Sequence, residues 1–217
     1  MVEGMIYILC TGCPWRDLPV HFGPWSSVYT RWSRWAQSGL WAFMLDVLAE
    51  EKQCSLRHLD STHVKVHQDA ANPAGGQENQ CLGHTKGGLD CKVTALVDTK
   101  GRAVQLAMAP GQRNDMIAAE EIVFPEDKKV VADKGYDGDR VRQRIEEAGS
   151  ESCIPAGSGR LNPAKHHKDY YRRRHRVENF SQRIKRRRRV GTRYEKLDVT
   201  FFAFLCLAAV LDWIRSI

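Results

Sequence analysis

Past Glu51 the hydrophobic period of the chain changes from helical to strand-like, and no other feature constrains the fold as much. Leu56 to Leu59 reads as an apolar strand ending in Asp60, and Val64 and Val66 alternate with polar residues beyond it. Gln68 to Leu89, rich in Gly, Asn and Gln, reads as a long exposed loop. Two strands follow, Lys92 to Asp98 with a turn at Lys100-Gly101, and Ala103 to Ala109 closed by Pro110-Gly111. Asn114 to Ile122 has the pattern of a helix with Asn114 near its cap. Lys129 to Ala132 is a short apolar strand that delivers Asp133, and a helix from Asp139 to Ala148 and a strand from Ser152 to Pro155 come next. A long helix is expected from near Asp169 to Arg189, stopped by Gly191. Strands and helices in this order predict an α/β domain with a mixed sheet flanked by helices, over residues 53–217.

Ahead of that domain, residues 1–52 predict a small all-helical module. Trp15, Trp25, Trp32, Trp35 and Trp41 fall here, and Pro14, Pro19 and Pro24 break it into short helices. Val28, Trp32 and Trp35 share one helical face, with Arg31 and Arg34 beside it. Short helices with sharp turns suit a helix-turn-helix-like DNA-binding module, and equally a bundle packed on the main domain.

The net charge of +7 is uneven: residues 160–196 hold fifteen Lys and Arg against three Asp and Glu. Basic charge held in one segment is the footprint of a polyanion partner. The seven cysteines have no regular spacing, so Cys10 and Cys13, a lone CxxC, read as reduced thiols before zinc ligands or a redox pair. No basic region with a long apolar core opens the chain, and the apolar run from Phe201 to Ile214 is short for a bilayer and contains Asp212. A buried C-terminal helix, no membrane and a bacterial cytoplasmic, DNA-associated location are expected.

Asp60 and Asp133 each end an apolar strand, where open α/β sheets place ligands; an Asp there also serves as a helix cap. On the long helix, Tyr171, Arg174, Glu178 and Lys185 fall within an arc of roughly 60°. Val177, Phe180 and Ile184 form a separate apolar stripe that packs on the sheet. A Glu between two cations also fits an intrahelical salt bridge. His63 and His67 lie on one side of a strand and with Asp60 or Asp69 could supply part of a zinc site, but no third or fourth ligand is obviously placed.

The pattern Tyr171-x2-Arg174-x3-Glu178-x6-Lys185 resembles the signature of transposases of the insertion-sequence-four superfamily. TGCPWRDLP (Thr11 to Pro19), FGPWSSVYTRWSRW (Phe22 to Trp35), LDST (Leu59 to Thr62), GGLDCK (Gly87 to Lys92), ADKGYD (Ala132 to Asp137) and TRYEKL (Thr192 to Leu197) resemble its insertion-sequence-five branch. The resemblance runs from about residue 4 to the end. It implies an RNase H-like fold and a DDE transposase in which Asp60, Asp133 and Glu178 are catalytic and bind Mg²⁺, with Mn²⁺ substituting. Only 24 residues separate Cys153 from Glu178, so the small form without a β-rich insertion is expected. Arg174 and Lys185 would bind phosphates at the transposon end, Tyr171 would stack on a base or orient the acid, and Lys134 would touch DNA. The run Arg186, Arg187, Arg188 and Arg189 would bind phosphates without sequence preference.

The implied partners are double-stranded DNA, both terminal inverted repeats and target, and a second copy of the chain in a synaptic homodimer. Relatives carry a helical stretch ahead of the residues resembling Val2 to Leu9, so the N-terminal module is expected to be incomplete. The competing readings are a truncated non-catalytic DNA-binding remnant that occupies transposon ends, and a nuclease that cuts without joining.

Overall fold

Val93, Thr94, Ala95, Leu96 and Val97 are all buried, so the strand that carries them needs cover on both faces. A computed structural model describes residues 1–50, 55–157 and 167–216; the expected boundary at residues 52 and 53 lies outside the described residues. The N-terminal helices are α1 (Val2–Thr11), α2 (Trp25–Gln37) and α3 (Leu40–Glu50). Then come β1 (Leu56–Val66), β2 (Gly83–Thr85), β3 (Gly88–Val97), β4 (Ala103–Pro110), α4 (Asp115–Ala118), β5 (Lys129–Val131), α5 (Asp139–Glu147) and β6 (Glu151–Cys153). The rest is α6 (Lys168–Tyr171), α7 (His175–Lys185), α8 (Arg188–Gly191), β7 (Thr192–Arg193) and α9 (Asp198–Arg215).

Among the described residues the strands form one sheet with β1 near its middle. β1 runs antiparallel to β3, from His58 opposite Val97 to Lys65 opposite Asp90. Its other edge is parallel to β5 over Leu56–His58 and to β7 at Lys65 and Val66. β3 pairs antiparallel with β4 along most of its length and with β2 at its start, while β6 lies parallel beyond β5. Across the sheet the order is therefore β4, β3, β1, β5, β6, the antiparallel-then-parallel arrangement of an RNase H-like domain.

One face packs Val64, Val93, Ala95, Val97 and Leu106 against α1–α3, α7 and α9. The other packs Leu59, Leu96, Ala107, Val130 and Ala132 against Ile122, Tyr136, Val141 and Ile145. The apolar stripe Val177, Phe180 and Ile184 is fully inside, as its spacing requires. The C-terminal helix is buried along nearly its whole length, and its Asp212 pairs with Arg183 at 2.8 Å. No helix among the described residues is long and apolar enough to cross a membrane. The N-terminal helices share the core with α9: Trp32 stacks on Phe204 with ring centroids 4.0 Å apart.

Several elements depart from the sequence expectation. The supposed exposed loop of residues 68–89 contains β2, which forms a hairpin with β3. The Asn114 helix is only one turn, capped as expected by the Asn114 side chain on Met116 N, and passes into a 3-10 turn at Ala119–Glu121. The long helix expected from Asp169 to Arg189 is three pieces. Residues 172–174 are turns closed by i→i+3 bonds, Arg173 N to Tyr170 O and Arg174 N to Tyr171 O, a tighter winding than an α-helix. Asp60 does not end its strand either; β1 continues six residues past it.

Candidate active site

Asp60 lies where β1 loses its parallel neighbour. β5 pairs with Leu56, Arg57 and His58 and then ends. Continuing the register of His58 with Val131 by two residues sets Asp133 beside Asp60, and Asp133 is still extended (φ −78°, ψ 174°). Strand alternation then sends Asp60, Thr62 and Val64 toward α7 and Ser61 toward the opposite layer.

Each Asp has one oxygen fixed by a nearby amide. Ser61 N donates to Asp60 Oδ1 at 2.9 Å, and Gly135 N donates to Asp133 Oδ1 at 2.7 Å. The capping role open to Asp133 is thus real. A Cβ at position 135 would lie 2.9 Å from that same Oδ1, so any larger residue there would have to displace the Asp133 carboxylate.

Glu178 comes from α7 and meets Asp60 through Arg174, whose Nη2 donates to Glu178 Oε1 at 2.6 Å while Nη1 lies 3.5 Å from Asp60 Oδ2. Burial works against the Arg174 charge, but Glu178 and Asp60 together outweigh it and raise its pKa. Asp60 is pushed up to about 6, first by burial, with Asp133 and Glu178 adding to it against the Ser61 amide and Arg174. Asp133 and Glu178 are thus near enough to Asp60 to disfavour its charge, and Arg174 links Asp60 with Glu178.

Lys185 completes the floor. Its ammonium donates to Thr62 Oγ1 and to His63 O, both at 2.6 Å, and burial lowers its pKa. Asp60, Ser61, Thr62, Glu178, Ser181, Gln182 and Lys185 line a cleft of about 220 Å³. Tyr171 stands apart on α6, packed beside Leu56, Val131 and Cys153. Lys134 is exposed next to Asp133.

The four-arginine run divides. Arg186 and Arg188 are exposed, whereas Arg187 and Arg189 are 7% and 6% exposed. Arg189 pairs with buried Glu195, donates to Cys13 O at 3.2 Å, and lies over the Tyr194 ring. It fastens the N-terminal segment to the TRYEKL segment just past β7, so the phosphate role expected of it does not fit its place. The zinc alternative also fails to assemble: His63 pairs with Asp90 at 3.2 Å, and His67 contacts Asp69 and Tyr194. Cys10 and Cys13 are free thiols.

Sequence reasoning missed the strut behind the acids. Ser61 Oγ bonds both Thr94 Oγ1, at 2.8 Å, and Tyr136 OH, at 2.7 Å. Burial pushes the Tyr136 phenol up, so it stays a hydrogen-bond partner at any working pH. Asp137 is held by Arg142 at 2.8 Å and accepts from Gly157 N at 2.6 Å. Tyr136 and Asp137 stand in the ADKGYD motif and were the available signal.

Three carboxylates are the donors a hard divalent cation takes, and Mg²⁺ commonly uses one or two carboxylates with substrate phosphates supplying more oxygens. Asp60, largely buried, and half-buried Asp133 at the end of the neighbouring strand fit that chemistry. Among the described residues, however, no three His, Cys, Asp or Glu side chains converge at ligand distance; Glu178 is drawn to Arg174 instead.

Residues 1–45 match a family model described as "Putative transposase of IS4/5 family", and residues 55–213 match "Transposase DDE domain". The chain is 29% identical over 139 residues to "Putative transposase for insertion sequence element IS6501" of Brucella ovis (strain ATCC 25840 / 63/290 / NCTC 10512), covering 58% of this chain and 100% of that one. It is 37% identical over 70 residues to "Uncharacterized protein y4sN" of Sinorhizobium fredii (strain NBRC 101917 / NGR234), which is 32% of this chain and spans 56% of that protein's length. A solved structure, "Crystal structure of the Mos1 Strand Transfer Complex", aligns over 84% of this chain and 76% of that chain at 11% identity. Its TM-score of 0.29 is too low to bear on fold or function.

Proposed function

The chain belongs to the DDE transposases of the insertion-sequence-four and -five group, and on that premise we propose that it cuts DNA at the ends of its element and joins them to a target. The observation that carries the reading is the His58–Val131 register of β1 with β5, which two residues further on brings Asp133 beside Asp60, together with Arg174 bridging Asp60 and Glu178.

Asp60, Asp133 and Glu178 would hold the divalent ion, Mg²⁺ with Mn²⁺ as substitute. When bound, such ions polarise a phosphodiester and supply a nucleophile at neutral pH. The chain's own residues do the rest. Gly135 and Ser61 amides fix one oxygen of each Asp, and the Thr94–Ser61–Tyr136 strut holds β1 against the turn that follows Asp133. Lys185 and Arg174 would position the phosphates, Lys as a point charge and Arg as a fork. Lys134, Arg186 and Arg188 offer exposed cations for the flanking backbone, and Tyr171 would brace the entry to α7.

In the first step water hydrolyses the strand at the transposon end. In the second the freed 3′-hydroxyl attacks a target phosphodiester, with in-line positioning as the main contribution of the protein. Joining two ends calls for two copies of the chain, so the working form is proposed to be a homodimer on DNA.

Asp60→Ala, Asp133→Ala and Glu178→Ala, assayed on a labelled duplex carrying the element's terminal repeat, are expected to lose strand cleavage by roughly a thousandfold or more. Duplex binding should persist. A variant that still cuts normally removes its residue from the site, and a protein that binds but never cuts is a DNA-binding remnant.

A further inference from the structure

We propose that the chain has a second phosphate site, apart from the acid cleft, which takes a backbone phosphate of the DNA. Lys100, Arg102, Arg183, Arg186, Arg187 and Arg215, with Asp212, line a cavity of about 510 Å³. It shares no lining residue with the cleft that holds Asp60 and Glu178. On α7, Arg183 points roughly 140° away from Glu178 at 100° per residue, so the two sites lie on different flanks of one helix.

Two of these cations already have carboxylate partners. Asp212 is already taken by Arg183, which also donates to Gly101 O at 2.6 Å. Arg102 is paired with Asp98, and its Nη1 is enclosed without a partner. Arg187 is more telling. It is 7% exposed, its Nη2 has no hydrogen-bond partner, and among the described residues no carboxylate lies within ion-pair distance of it, the nearby Asp212 being bound to Arg183. A buried unpaired cation is costly and is expected only where something else compensates it. Burial first, then nearby Arg215, bias the group against its charge, and Cys10 and Asp212 offset this only in part.

A phosphate is the anion that fits. Guanidinium forks bond phosphate oxygens bidentately, and a cluster of them selects phosphate over a single carboxylate. The choice of DNA as its bearer rests on the transposase reading and on continuity: Lys185 lines the acid cleft, and the next residue, exposed Arg186, lines this cavity. A duplex held at the acids would thus meet a cationic path leading around α7.

The test uses the full chain in EDTA, with inorganic pyrophosphate and a non-cleavable duplex as probes. Arg187→Met removes the unpaired charge and keeps the bulk. It should raise Tm by roughly 2–8 °C, the opposite of what loss of a structural arginine would do. Pyrophosphate should raise the Tm of the native chain and have little effect on Arg187→Met. For the duplex, Arg187→Met and the surface variant Arg215→Gln should each flatten the slope of log K against log salt by about one unit. Unchanged pyrophosphate protection and an unchanged slope in both variants would overturn the site. Protection lost with the slope intact would overturn DNA as the ligand and leave a free phosphate ester. Cleavage by the native chain and its loss in Asp133→Ala are read separately, so a failed phosphate site does not count against the acid centre. No duplex binding by the native chain would sink both the transposase reading and the DNA assignment.

Discussion

Asp60→Asn separates what the acid costs the fold from what it contributes to chemistry. Asp60 rises from 3.8 to about 6 in the folded protein, so its charged form is disfavoured there. Two units correspond to roughly 3 kcal/mol at about 1.4 kcal/mol per unit. The side chain is 22% exposed, so solvent screening reduces this to about 1–2 kcal/mol. The sign follows from linkage. A carboxyl whose folded pKa is raised favours the fold below about 3.8, and that advantage is lost as pH rises to about 6. Asn carries no charge and its amide oxygen can still accept from Ser61 N. The variant should therefore gain on the native chain between pH about 4 and 6 and hold a constant lead above that, worth about 2–8 °C in Tm. The assay is thermal unfolding in EDTA across that range, beside cleavage in Mg²⁺, where the variant should be inactive. A less stable variant at pH 8, or a difference that ignores pH, would refute the reasoning.

Arg174→Gln frees Asp60 and Glu178 of their shared counter-ion, so Mn²⁺ should bind the variant roughly tenfold more tightly, read by titration calorimetry; weaker binding would show that Arg174 does not compete with the ion. Arg189→Met removes the ion-pair partner of buried Glu195, leaving only the more distant Arg193 charge, and should cost about 3–5 kcal/mol in urea unfolding. Glu195→Gln, which keeps an acceptor, should cost less. Tyr136→Phe removes the phenol that Ser61 meets and should cost about 1–2 kcal/mol. It should also reduce the cleavage rate more than duplex affinity if the strut positions the acids.

The strands that build the site were legible because their signals are local. Leu59, Val64, Val93 and Val97 alternate or run apolar between turn residues, and Gly101 takes the positive φ of 76° that its turn needs. Asp60, Asp133 and Glu178 were legible as acids beside apolar runs, and the resemblance tied them together. The break at residues 172–174 was not. Arg172 to Arg174 are good helix formers, and the break reflects packing: Tyr170 and Tyr171 sit against Leu56, Val131 and Cys153, while Val177 and Phe180 pack in the larger core. Nor was the burial of Arg187 and Arg189 visible. A run of four arginines reads as a surface, and Arg189 finds carbonyls of Gly12 and Cys13 some 177 residues away in sequence. The Ser61–Tyr136 bond needs β1 and the turn after β5 brought together before either residue has a role.

The central claim is that one acid centre both cuts and joins. It is tested most directly with a precut duplex ending in the element's free 3′-hydroxyl, a target plasmid, and the native chain or Glu178→Gln, in Mg²⁺ or EDTA. Sequencing of the products should find ends joined to the plasmid only with the native chain in Mg²⁺. Joining at equal rates in EDTA, or by Glu178→Gln, would contradict the claim.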